Sequence, residues 1–184
     1  TRLFETTEGE RFFGIKRFDR CDNRRYHIHT FGNLIYSNFR IPSADYSDLL
    51  KATSLLTRNH QEVLRAFRQM VFNVLAHNRD DHVKNFSFLL DDASSEWTLS
   101  PAYDLTHTDG PGGEHSMTLA GEGRSPGKLQ MLQLAERTDI TKRDTIAIID
   151  EVSAAISRWP RFAKVAGVHP TKTDEIHQSF PIIE

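Results

Sequence analysis

The sequence of 184 residues predicts an α+β fold that is mostly α-helical. Three observations carry that reading. Val63, Phe67, Met70, Val71, Val74 and Leu75 fall at helical spacing along one face, directly behind Asn59 and Glu62, an N-cap residue with an acceptor three places on. Ile146, Ile149, Val152 and Ile156 repeat the same period nearer the C-terminus. Between these helices, Phe86, Phe88 and Leu90 mark a half-buried strand over Asn85 to Leu90, and Trp97 and Leu99 lie on a return strand over Glu96 to Leu99. The polar turn from Asp91 to Ser95 makes the two a β-hairpin.

Taken in order, the elements begin with a strand from Arg11 to Phe18 and a second from Arg25 to Thr30, joined by turn chemistry at Cys21, Asp22 and Asn23. The first segment starts without an initiator Met and with alternation already under way. It reads as a chain cut from something larger, or one that has lost a tag or leader. Helices then take over, the strongest ending near His77 and Asn78. From Leu105 to Gly127 the chain holds six glycines and two prolines, which predicts a loop with no core of its own, mobile or functional. Ser125 and Pro126 start another helix, with Pro at its first position. A long helix from Thr141 to Trp159 is broken by Pro160, and a weaker helical tail follows.

Composition narrows the function classes. Lys and Arg number 23 against 25 Asp and Glu, a net charge of -2, so no global field draws a polyanion to the surface. A dedicated nucleic-acid binder is therefore not expected. The one cysteine, Cys21, has no intrachain partner for a disulfide, which suggests a reducing compartment. No stretch approaches the ~20 apolar residues that cross a bilayer. The expected location is the cytoplasm.

The chemistry concentrates in residues 78–85, Asn-Arg-Asp-Asp-His-Val-Lys-Asn. Protein kinases place a base Asp and a metal-binding Asn five apart on one loop, as H-R-D-x-x-x-x-N. Arg79, Asp80 and Asn85 occupy those positions, and Asn78 stands where the pattern has His. The spacing lets a carboxylate reach a substrate hydroxyl while an amide oxygen one loop-length on meets magnesium at the phosphates. Past the hairpin, Asp104 stands where a kinase has its second metal ligand. A carboxylate and an amide oxygen suit magnesium, which takes few protein oxygens and keeps water and phosphate as its other ligands.

At this level of detail the sequence resembles the HipA-like serine/threonine protein kinases. Asp80 to Ser87 is similar to the family's D-x-H-x-K-N-F-S, Pro101 to Asp104 to its P-x-Y-D, and Lys16 to Arg20 to its R-F-D-R hinge. The three blocks come in the family's order, over roughly residues 11 to 160. The resemblance implies a protein-kinase-like large, C-terminal lobe over 1–184, with a hinge strand near 11–20 and a catalytic loop at 78–85 that leads into the β-hairpin. A metal-ligand loop follows at 100–106. It implies Asp80 as catalytic base, and Asn85 and Asp104 as ligands of Mg2+. His82, Val83, Lys84 and Asn85 would line the ATP triphosphate, with Tyr103 beside the nucleotide. Lys16, Arg17 and Phe18 would meet the adenine, and a short helix would lie between His29 and Asn38. The family's Gly-rich loop and phosphate-binding Lys lie before the hinge, so the small lobe is expected outside this chain, and the piece alone is expected to be weak or inactive.

Further expectations follow from the same resemblance. The substrate is a protein, for which the family offers aminoacyl-tRNA synthetases. The partner is a helix-turn-helix antitoxin of HipB type, through which any nucleic-acid contact is indirect, in a toxin–antitoxin system linked to persistence. Two alternatives stand beside this reading. His77, Asp80, Asp81, His82 and Asp104 could instead assemble a metal-dependent phosphohydrolase. Or the lobe could survive as a catalytically inert binding module. The simplest reading of the neighbouring residues is that Arg79 pairs with a nearby carboxylate and Asp81 caps a turn. In the kinase reading His77 and His115 have no part in the metal site, because the chemistry asks no imidazole of the metal.

Overall fold

Beyond Thr30 the chain is built chiefly of helices, wrapped on a small sheet that carries the candidate loops. The computed structural model describes residues 1–38, 40–41 and 43–182.

The two predicted strands nearest the N-terminus are rearranged. β1 (Arg2–Glu5) and β2 (Arg11–Gly14) form an antiparallel hairpin with Phe4 opposite Phe12. β1 was not expected, and the strand predicted to run to Phe18 stops at Gly14, which pairs with Arg2 at the start of β1. The hairpin's aromatic residues remain open, with Phe4 50% and Phe13 68% exposed. Its tie to the helices is the Arg11 guanidinium, which donates to the Ala166 carbonyl at 2.6 Å. β3 (Arg20–Cys21) and β4 (Arg24–Arg25) close around Asp22 and Asn23, with Asp22 in the left-handed region at φ 53°. The strand predicted over Arg25 to Thr30 thus divides at Tyr26. Its second half, β5 (His27–Thr30), joins the central sheet.

That sheet has the order β5-β6-β7, all antiparallel, with β6 (Ser87–Asp91) in the middle and β7 (Glu96–Leu99) at one edge. Phe88 lies opposite both His29 and Leu99 and is fully buried. The predicted β-hairpin is present, two residues later at its start, because Val83–Asn85 forms a 3-10 turn first.

α1 (Phe31–Leu34) is capped by the Thr30 hydroxyl, which accepts from the Asn33 N–H. α2 (Tyr46–Thr57) escaped the sequence reading. Its cap is Asp45 with Asp48 at the third position, a reciprocal box built from Asp rather than Glu or Gln. α3 (His60–Leu75) is the long apolar helix, and Asn59 caps it by accepting from Gln61 N–H at 2.9 Å. The expected reciprocal bond from Glu62 does not form. Glu62 is buried and instead accepts from Leu99 N–H at 2.7 Å and from Arg65. It thereby satisfies a β7 backbone donor and binds the helix to the sheet.

α4 (Lys128–Arg137) starts two residues after Pro126, with Gly127 as the cap residue and its N–H bonded to Gln130 Oε1. α5 (Lys142–Ile156) is capped by Thr141 and buries Thr145, Ile148, Ile149 and Val152, while Ile146 sits at the margin, 38% exposed. Pro160 falls inside α6 (Trp159–Ala166), in its first turn, where a missing N–H costs nothing. The break therefore precedes it, at Ser157 and Arg158. α7 (Pro170–Ser179) ends the described chain's regular structure.

The core lies between α2, α3, α5 and the sheet, around Tyr46, Leu49, Phe67, Met70, Phe86 and Phe88. The Gly-rich stretch contributes to it, against expectation: Met117 and Leu119 are fully buried, and Thr118 pairs with Asp45. Thr118 N–H donates to Ala44 O and Tyr46 N–H to Thr118 O, so the stretch is stitched onto the start of α2. Mixed helix and strand with helix predominant is the architecture, as the apolar periods predict.

Candidate active site

The loop from Asn78 to Phe86 leaves the C-terminus of α3 and enters β6. Asn85 turns back on it: its Nδ2 donates to the Asp80 carbonyl at 2.8 Å, closing the five-residue interval that the motif spacing marks. The Asp80 carboxylate is half-exposed, with His82 Nε2 3.8 Å from its Oδ1. Val83 points the other way. It is buried against Gly32, where even a Cβ would lie 2.8 Å from Val83 Cγ2, so its contribution to any ligand is a backbone one.

Tyr103 brings the second loop to the first. Its hydroxyl meets both the Lys84 carbonyl and Ser87 Oγ at 2.5 Å. Asp104 and Asn85 thus flank a single hydrogen-bonded junction, Tyr103 to Lys84. Burial, with the nearby Asp104 charge, raises the Tyr103 phenol above its ordinary range although Ser87 opposes the shift. The phenol is a neutral donor at any ordinary pH. Asp104 is exposed and has φ 55°, a left-handed conformation that a non-glycine residue rarely adopts and that merits notice at a functional position.

The predicted hinge reaches the same place by one residue. The Phe18 ring lies 5.7 Å from the Tyr103 ring. Lys16, Arg17 and Phe18 line a concavity of about 470 Å³ with Tyr26, Leu89 and Thr98. Arg17 is paired with Asp19, which holds the Asp19 carboxyl below its ordinary range.

Sequence reasoning missed what holds the loop. Asp81 is fully buried and accepts on both oxygens: Tyr46 Oη donates to Oδ2 at 2.6 Å, Ser116 N–H to Oδ1 at 2.8 Å, and His115 Nδ1 lies 2.8 Å from Oδ2. Behind Tyr46, Asn73 Nδ2 donates to its hydroxyl and Asn78 Nδ2 to Asn73 Oδ1. Burial, then the Asp81 charge, pushes the Tyr46 phenol well up, so it stays a donor. Among the described residues Arg79 forms no ion pair with a carboxylate. Its guanidinium donates to the Gly113 and Arg124 carbonyls at 2.6 and 3.0 Å. The signal that could have found Asp81 is the doubled Asp itself, since on an extended loop adjacent side chains face opposite ways.

The candidate ligands Asn85 and Asp104 both offer oxygen, which suits a hard cation such as magnesium. Of the histidines in the hydrolase alternative, His82 lies beside Asp80, its Nε2 3.8 Å from Oδ1, and His77 is engaged elsewhere. His77 Nε2 lies 3.1 Å from Asp109, and His115 sits at Asp81. Among the described residues no group of three or more His, Cys, Asp and Glu side chains comes together to hold a metal. Also among them, no helix is long and apolar enough to cross a membrane.

The HipA-like C-terminal domain family matches residues 1–159. Two similar proteins come from Sinorhizobium fredii (strain NBRC 101917 / NGR234). The one named Putative kinase Y4dM is 32% identical over 96 residues, 51% of this chain and 23% of that protein. The one named Putative kinase Y4mE is 34% identical over 124 residues, 67% of this chain and 23% of that protein. Among solved structures, the toxin–antitoxin complex of HipA, HipB and operator DNA from Shewanella oneidensis MR-1 contains a chain with TM-score 0.66 and 16% identity. The match covers all of this chain and 46% of that one, and at such identity it speaks for the fold.

Proposed function

The chain belongs to the family of HipA-like C-terminal domains, and from that membership we propose that it is the large lobe of a serine/threonine protein kinase that transfers phosphate from Mg-ATP to a protein hydroxyl. The observation that carries the proposal is the Asn85-to-Asp80 hydrogen bond. With its Nδ2 committed to the Asp80 carbonyl, Asn85 offers its amide oxygen as a ligand, on the same loop that presents the Asp80 carboxylate.

In this reading Asp80 orients the attacking hydroxyl and accepts its proton. Asn85 and Asp104 hold magnesium, which when bound neutralises charge on the phosphates. His82 and Lys84, with the backbone of Val83, face the triphosphate. Tyr103 supports the nucleotide side, and Lys16 to Phe18 form the hinge. The Gly-rich loop and a phosphate-binding lysine are supplied by a small lobe that precedes this chain in the full-length protein. The curated relatives are matched over 23% of their length, which leaves room for such a lobe. The HipB of the Shewanella complex suggests a small antitoxin of that type as partner, with DNA met through it.

The test uses the full-length protein with magnesium as the sole added cation. Asp104→Ala is expected to abolish metal-dependent ATP binding, and Asn85→Ala to weaken it less, since a neutral amide gives a cation less than a carboxylate. His77→Ala is expected to leave binding unchanged. Stoichiometric zinc or iron that is lost with the His77 change would overturn the kinase reading in favour of a hydrolase.

A further inference from the structure

Asp81 is a carboxylate at zero exposure, next in sequence to the proposed base, and the proposed mechanism gives it no task. Burying such a charge is costly unless every lone pair is engaged. Here the partners come from two distant parts of the chain. Tyr46 lies at the start of α2, and His115 and Ser116 lie in the Gly-rich stretch. The same stretch is held to Arg79, on the other side of Asp80. Ser116 N–H and Oγ both approach the Arg79 carbonyl, at 3.2 and 3.0 Å, and the Arg79 guanidinium binds the Gly113 and Arg124 carbonyls. Gly110 permits this approach, since a Cβ there would lie 2.6 Å from Arg79 Cβ. Asp80 is thus bracketed: each of its chain neighbours is fastened to residues 110–124.

We propose that Asp81 and His115 are positioning residues, which couple the segment 110–124 to the loop of Asp80 and Asn85 and set the direction of the Asp80 carboxylate. His115 is buried with its Nδ1 on Asp81 Oδ2, so it acts as a donor to Asp81 from beneath the surface. This rests on the kinase reading for what the loop does, but not for the coupling itself. Anything that displaces residues 113–118, a bound protein substrate included, would be felt at Asp80.

The chemical test compares His115→Leu, which removes the donor, with His115→Asn, whose amide can replace Nδ1–H, in the full-length protein with Mg-ATP. A displacement of order 1 Å costs roughly 10²-fold in rate. His115→Leu is therefore expected to lower kcat by about that factor with the KM for ATP within about threefold. His115→Asn should recover most of kcat. A purely structural role would instead lower the melting midpoint of both and leave kcat per folded molecule unchanged, which would overturn the proposal. Should His115→Leu not fold, Asp81→Asn is read in its place, with the same kcat loss expected.

Hydrogen exchange on the same proteins separates this inference from the kinase reading. Amides of 79–85 as well as 113–118 should exchange faster in the His115→Leu or Asp81→Asn variant. Faster exchange confined to 113–118 would refute the coupling, whether or not the wild type transfers phosphate. A wild type with no transferase activity, but with exchange linked across both segments, would sink the kinase reading alone.

Discussion

Tyr103 shows how much depends on one hydroxyl. It is shared between the Lys84 carbonyl and Ser87, and it is a direct link between the loop of Asn85 and that of Asp104. Tyr103→Phe should cost about 0.5–1.5 kcal/mol of stability, the net worth of one such hydrogen bond. It should also raise the KM for Mg-ATP more than it lowers kcat, since the base is held elsewhere. Steady-state kinetics of the full-length protein would check this, and an unchanged KM would count against Tyr103 as the joint. The proposed chemistry was legible at this scale because it depends on local spacing: Asp80 and Asn85 are five apart, and Asp104 follows one hairpin later. The supports were not. Asp81 meets Tyr46 and His115, 35 and 34 residues away, and no local pattern encodes such a partnership.

The helices with long apolar periods could be read from the sequence, and their ends less well, because ends are set by partners that periodicity does not contain. Glu62 is the clearest case. It stands where a capping box has its acceptor, yet a buried N–H on β7 claims it. Glu62→Ala would leave the Leu99 N–H unsatisfied, and urea denaturation should register a loss of about 1–3 kcal/mol. Glu62→Gln, which keeps an acceptor, should lose less. Equal losses would mean that the carboxylate's charge, paired with Arg65, matters more than the bond to β7. α7 makes a different prediction. His107 Nε2 is 2.6 Å from Ser179 Oγ, and its ring stacks on His77 at 5.3 Å. Burial first, with the Arg79 charge second for His77, holds both imidazoles below their ordinary value of 6.5. Between those lowered values and 6.5 the unfolded chain binds more protons than the folded one, so stability falls as pH drops through that window. Amides of α7 should accordingly exchange faster at pH 5.5 than at pH 7.5 after correction for intrinsic rates, and an unchanged ratio would contradict this.

At the scale of the molecule, the helical body and the β5-β6-β7 sheet hold two loops in register, while the β1–β2 hairpin stands apart with its aromatics half open. The Gly-rich stretch was misread as coreless because glycine content hid Met117 and Leu119, which lie in a bridge to α2 rather than in a strand or helix of their own. Its burial ties it to the proposed active site. The claim on which the whole account turns is that Asp80 is the base of a phosphoryl transfer. It is tested most directly by incubating the full-length protein with γ-labelled Mg-ATP and a protein acceptor, or alone for autophosphorylation, beside its Asp80→Asn variant. The account predicts label on serine or threonine in the wild type and a loss of ~10²–10⁴-fold in rate in the variant, with circular dichroism unchanged. Transfer by Asp80→Asn at the wild-type rate would contradict it.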